Sequence, residues 1–148
     1  MVTSSKVLGG LVVSALLIAP PAAAGAEPPS LPSGSYEIVT RLELPHVERW
    51  AIDRTTTICL PGSSGSGRIP VPVLSTNNPF QKCSAANVTT DEAILQYDIV
   101  CPGRGAARAH AIYALAADTF SGRVMMVMGA KNMTMTEVQH ARRVGDCE

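Results

Sequence analysis

Ile94-Leu95-Gln96-Tyr97-Asp98-Ile99-Val100-Cys101 alternates along its whole length. Leu95, Tyr97, Ile99 and Cys101 fall on one side and Gln96 and Asp98 on the other, the mark of a strand with one buried face. Pro102-Gly103-Arg104-Gly105 then turns the chain into a second alternating run over 106–115, where Ala107, Ala109, Ala111, Tyr113 and Leu115 oppose Arg108 and His110. Asp118-Thr119 turns it again into 120–128, and Gly129-Ala130-Lys131-Asn132 leads to a last run over 133–144. Upstream, Tyr36, Ile38, Thr40, Leu42 and Leu44 share a side against Glu37, Arg41 and Glu43, up to Pro45. Residues 51–60 are Thr- and Ile-rich and read as another strand, closed by Pro61-Gly62. Period two with frequent turns predicts an all-β fold, an antiparallel meander of about six or seven strands. Accumulated twist makes such a sheet a curved sheet, a half-barrel or a small barrel.

The segment 61–82 is the irregular part. Its Ile69-Pro70-Val71-Pro72-Val73 is too rich in proline for an interior strand, and a short helical stretch is expected before the Asn77-Asn78-Pro79 turn. A long irregular connection is a candidate lid or partner surface.

The first residues carry an address rather than a fold. Residues 1–6 hold one positive charge, 7–18 are apolar or small, Pro20-Pro21 ends the run, and 22–26 offer A-x-A cleavage sites after Ala24 or Ala26. The apolar run is too short to cross a bilayer as a helix. We read 1–26 as a secretory signal peptide, 27–35 as a flexible lead-in and 36–148 as one domain, expected in the periplasm or secreted. Cleavage after Ala26 leaves 122 residues with 11 basic and 12 acidic side chains. That balance, without a basic stripe, excludes nucleic acid as an expected partner, and no later segment predicts a membrane span.

Four cysteines lie beyond the signal, where thiols oxidise. With the hairpin tip at Asp91-Glu92, opposed residues sum to about 183 or 184, which sets Cys83 against Cys101 and leaves Cys59 for Cys147. Their spacing contains no C-x2-C element, so disulfides are preferred to a zinc site.

Gly34-Ser35-Tyr36-Glu37-Ile38, Thr57-Ile58-Cys59-Leu60-Pro61, Val100-Cys101-Pro102-Gly103, Asn132-Met133-Thr134-Met135-Thr136 and Arg143-Val144-Gly145-Asp146-Cys147 together resemble a domain-of-unknown-function family. Its members are small secreted proteins of Gram-negative bacteria, each a signal peptide plus one cysteine-bearing β domain. The resemblance covers the chain from about Gly34 to Cys147 and implies a periplasmic or secreted setting, but no activity.

Chemistry-bearing residues are few. His46, His110 and His140 lie apart in sequence, the cysteines are expected to be bonded, and no G-x-S-x-G, H-E-x-x-H or C-x-x-C occurs. We therefore expect no enzyme and no cofactor. The loop 62–67 (GSSGSG) lacks the lysine of a phosphate cradle. A cupped sheet is a natural container for an apolar small molecule or lipid, or a surface for an envelope protein. Its expected lining is Tyr97, Ala109, Ala111, Tyr113, Met126 and Met128, the alanines leaving room; a small packed barrel whose alanines oppose methionines is the competing reading. A second function class rests on Met126-Val127-Met128 and Met133-Thr134-Met135, two M-x-M pairs beside Met125. Met126, Met128, Met133 and Met135 are candidate Cu(I) ligands, with His110 or His140 completing the site. Methionines that fill gaps in a core poor in aromatics are the alternative. Orientation separates the two: an ion site needs one pair facing solvent, and packing turns both inward.

Overall fold

A computed structural model describes residues 30–45, 52–62, 67–76, 78–129 and 133–148. The signal peptide, the lead-in before residue 30, His46 and most of the 62–67 loop lie outside them. The described residues form seven strands and no helix. These are β1 (Gly34–Glu43), β2 (Arg54–Leu60), β3 (Ser84–Asp91), β4 (Ile94–Val100), β5 (Arg108–Leu115), β6 (Thr119–Met128) and β7 (Met133–Gly145). The alternating runs are these strands, except that β2 starts later than its Thr-rich sequence suggests. The helix expected before Asn77 is absent, residues 67–76 running through bends and turns that two prolines keep out of regular structure.

All pairs are antiparallel in one open sheet of order β2-β1-β7-β6-β5-β4-β3. The run from β3 to β7 is the expected meander. The hairpin β1–β2 docks on its far side, through β1 against β7. Consecutive strands β2 and β3 therefore lie at opposite edges, and the connection between them has to cross the sheet.

It crosses on the face whose strand residues are buried, the side that the expected twist makes concave. Val71, Val73 and Phe80 of this strap are 0 %, 4 % and 2 % exposed and belong to the same core cluster as the inward strand residues. The strap is the second layer that a one-sided sheet needs, not a solvent loop. The strand residues beneath it form rows across the register: Ile99, Ala109, Met126 and Met135; then Tyr97, Ala111, Val124 and Glu137; then Leu95, Tyr113, Gly122 and Gln139. Tyr113 stacks beside Tyr97 at 6.1 Å and meets the edge of Phe120 at 5.4 Å, and Phe120 packs on Tyr36 at 5.5 Å. Gly122 must be glycine, because a methyl group there would overlap the Ile112 carbonyl oxygen and the Tyr113 ring.

Disulfides join Cys83 to Cys101 and Cys59 to Cys147, the pairing expected from the hairpin. Ser84 pairs with Val100 and Ala85 with Ile99, a sum of 184 that carries on to the cysteines. The first bridge closes the mouth of the β3–β4 hairpin. The second ties β2 to the chain end beyond β7, clamping both neighbours of β1.

Tyr97 and Tyr113 report on this core. Burial pushes both phenols far above the ordinary value of 10.0. A raised pKa keeps the proton in the folded state, so the stability both contribute is full below pH 10 and is lost as pH rises above it. Folding free energy is expected to fall by about 1.4 kcal/mol per pH unit for each of these tyrosines above pH 10. Denaturant melts between pH 9 and 11, followed by tyrosinate absorbance, check this. Titration of both rings near pH 10 in the folded protein would contradict their burial.

Candidate functional site

Two places concentrate polar chemistry, one under the strap and one on the opposite face. Under the strap, β7 turns Glu137 and Gln139 inward, both 0 % exposed. The Glu137 carboxylate accepts the backbone N–H groups of Leu74 and Ser75 at 2.8 and 2.7 Å, and the Gln139 amide at 2.6 Å. Gln139 Nε2 also donates to the Pro72 carbonyl at 2.9 Å, and its Oε1 accepts from Tyr113 at 3.1 Å. Tyr97 donates to the Val71 carbonyl at 2.6 Å. Strand side chains thus take the place of a neighbouring strand for a segment whose backbone has none. No buried side-chain polar atom among the described residues lacks a partner.

These contacts fix what the concave face can hold. Tyr97, Ala109, Ala111, Tyr113 and Met126 do converge there, none more than 6 % exposed, with Met128 half-buried at their end. The room beside the alanines is on the covered side of the sheet, where Val71, Val73 and Phe80 already sit. A guest among these residues must first displace the strap.

The methionines divide by strand parity. Met126 faces Met135 and Met128 faces Met133 in register, so both M-x-M pairs lie on the concave side. Met126 is buried, Met128 and Met135 pack on the core, and Met133 is 56 % exposed at the sheet's end. Three of the four thus pack on the core, and Met133 reaches solvent. Met125 has the opposite parity and points to the convex side, 41 % exposed.

There a groove of about 510 Å³ is lined by Asp98, Val100, Arg108, His110, Met125 and Val127, with the backbone of Ile99 and Ala109 in its floor. One row of the register runs Val100, Arg108, Val127, and the next runs Asp98, His110, Met125. Val100 is 52 % exposed. Arg108 has no ion pair among the described residues. In the second row, His110 Nδ1 lies 2.8 Å from the Asp98 carboxylate. Asn87 completes the arrangement by donating its side-chain amide to the other carboxylate oxygen at 2.7 Å. Asn87 can do so because a bulge opens β3 between Ala86 and Thr89 and puts it at φ 52°, a conformation asparagine tolerates. The Asn87 amide, and then His110, hold the Asp98 carboxyl below the usual carboxylate range.

The other convex hollows are different in kind. One beside β1 is spanned by Arg41, whose fork donates to both Asp53 oxygens at 2.6 and 3.1 Å and neutralises it. His140 lines that hollow and its neighbour, its register partners being Ser121 and Val39. The sequence reading missed the Asn87–Asp98–His110 chain. The Asp98–His110 juxtaposition follows from the β4–β5 register, whose opposed numbers sum to 208, one more than a turn centred on Pro102-Gly103-Arg104-Gly105 gives.

Fold and site together define a small disulfide-stapled β domain, one open sheet with its inner side filled by its own chain and an apolar groove on its outer side. Residues 29–147 match the model of a family described as a protein of unknown function, DUF3617, and the chain belongs to that family. Neither the curated proteins nor the solved structures contain a match. The family resemblance read from the sequence thus holds at the level of a domain of unknown function.

Proposed function

We propose that this chain is a non-catalytic binding protein, periplasmic or secreted, that seats an apolar small molecule or lipid with an anionic end in the convex groove. The reading rests on one observation: Arg108, unpaired among the described residues, stands between the exposed or half-buried side chains of Val100 and Val127. The valines and Met125 supply apolar surface, and the guanidinium supplies a planar donor for a carboxylate or phosphate. The setting is supported by two disulfides and by the signal peptide read in the sequence. The concave face was the expected container, but its filling makes the convex groove the better seat.

Dodecanoate is a suitable probe. Titration into the oxidised protein is expected to give saturable binding at one site, followed by calorimetry. Arg108→Ala should weaken it about fivefold, the roughly 1 kcal/mol of an exposed charge pair, and Val100→Asp should abolish it. Absence of saturable uptake below the micelle concentration, or binding indifferent to both changes, would overturn the reading.

A further inference from the structure

With every cysteine bonded, the chain has no thiolate to offer a soft metal ion among its described residues. The soft and borderline donors left are thioethers and imidazoles. Most of the β6–β7 methionines face the core. Met125 alone faces the convex groove, and the residue opposite it in the β5–β6 register is His110. Opposed residues on one face of an antiparallel pair have Cβ atoms about 4.5–5.5 Å apart, close enough for a thioether and an imidazole to share an ion. His140, the other described histidine, has Ser121 and Val39 as its partners and no methionine beside it.

We infer that His110 and Met125 form a two-coordinate site for a soft monovalent cation, Cu(I) being the biological candidate. The imidazole is held ready for it. An ionised carboxylate can only accept, so Asp98 fixes the proton of neutral His110 on Nδ1 and leaves the Nε2 lone pair bare. Asn87 holds Asp98 in turn, so the donor is oriented through two outer partners, as in established metal sites. The side chains of His110 and Asp98 are 44 % and 37 % exposed, which leaves a path from solvent. A neutral nitrogen and a neutral sulfur in line satisfy an ion with a filled d shell and no demand for higher coordination. The ion is a different occupant from the amphiphile proposed above; it shares Met125 with it but is held in the neighbouring row of the same groove.

The test uses the oxidised protein with Ag(I), which mimics Cu(I) without reducing disulfides, and then Cu(I) in anaerobic competition with bicinchoninate. One ion per chain is expected, with the Met125 methyl carbon and the His110 Nε2 nitrogen shifting in NMR spectra. Met125→Leu keeps the volume and removes the donor; it and His110→Ala should each weaken binding at least about tenfold, and Asp98→Ala about tenfold. Arg108→Ala should tighten ion binding while weakening dodecanoate, so the two readings fail separately. Absence of binding, or binding unchanged in Met125→Leu, would overturn the inference. Shifts confined to Met128, Met133 and Met135 would overturn it too, by moving the ion to the rim of the concave face.

Discussion

Glu137→Ala is expected to lower the melting temperature by about 15 °C and to unlatch the strap before the sheet melts. The substitution strips the Leu74 and Ser75 amides of their acceptor at once and takes from Gln139 one of its two. A buried donor left unmade costs about 1–3 kcal/mol, so the two stranded amides alone amount to about 4 kcal/mol. For a domain of this size each kilocalorie is worth about 4 °C. Glu137→Gln should do about half the harm, because its oxygen can still accept from Leu74 and Gln139 while its amide hydrogens face the Ser75 N–H. Hydrogen exchange at Leu74 and Ser75 provides the local readout. If those amides stay protected in Glu137→Ala, the carboxylate is not what holds the strap.

Removing the Cys59–Cys147 bridge should rank beside it. The bridge joins residues 88 positions apart, and in the chain-entropy model a loop of that length is worth about 4 to 5 kcal/mol. Cys83–Cys101 spans 18 positions and is worth about 3 kcal/mol. Cys59→Ala/Cys147→Ala is therefore expected to lose more than Cys83→Ala/Cys101→Ala in denaturant melts, and a reducing agent should lower the melting temperature by more than either. An unchanged melting temperature under reduction would show that neither bridge is structural. The long bridge closes a flank that carries little core of its own, since β2 is exposed over most of its length.

The strands were legible because a half-buried strand writes its burial into every second residue, as Leu95, Tyr97 and Ile99 show. The hairpin arithmetic reached Cys83 and Cys101 because two one-residue offsets cancel: the turn is Glu92-Ala93, where opposed numbers sum to 185, and the bulge between Ala86 and Thr89 returns the sum to 184. The strap was not legible. Its buried residues follow no period, and the groups that satisfy its backbone come mainly from β7, more than sixty positions later, with Tyr97 of β4 adding one. Signals existed on that strand: Glu137 and Gln139 share parity with Met135 and Ala141, which places polar side chains on an inward face that must supply them with partners. In the convex groove, Arg108, His110 and Asp98 read correctly as outward residues. Their assembly depends on Asn87, and a one-residue bulge leaves no periodic trace.

The docking of β1 between β2 and β7 sets an order on how the domain is made. The β1–β2 hairpin is the first part of the sheet to be synthesised, and Tyr36 has to wait for Arg143 before it gains its second neighbour. Contacts so distant along the chain slow folding. The meander from β3 to β7 can zip by successive local hairpins, with Cys83 and Cys101 free to pair early. Until β7 arrives, Glu137 and Gln139 are missing as well, so the strap has nothing to lie on. The domain is therefore two unfinished pieces until its last strand is in place, and the end of the chain completes the sheet, the core and the long disulfide together.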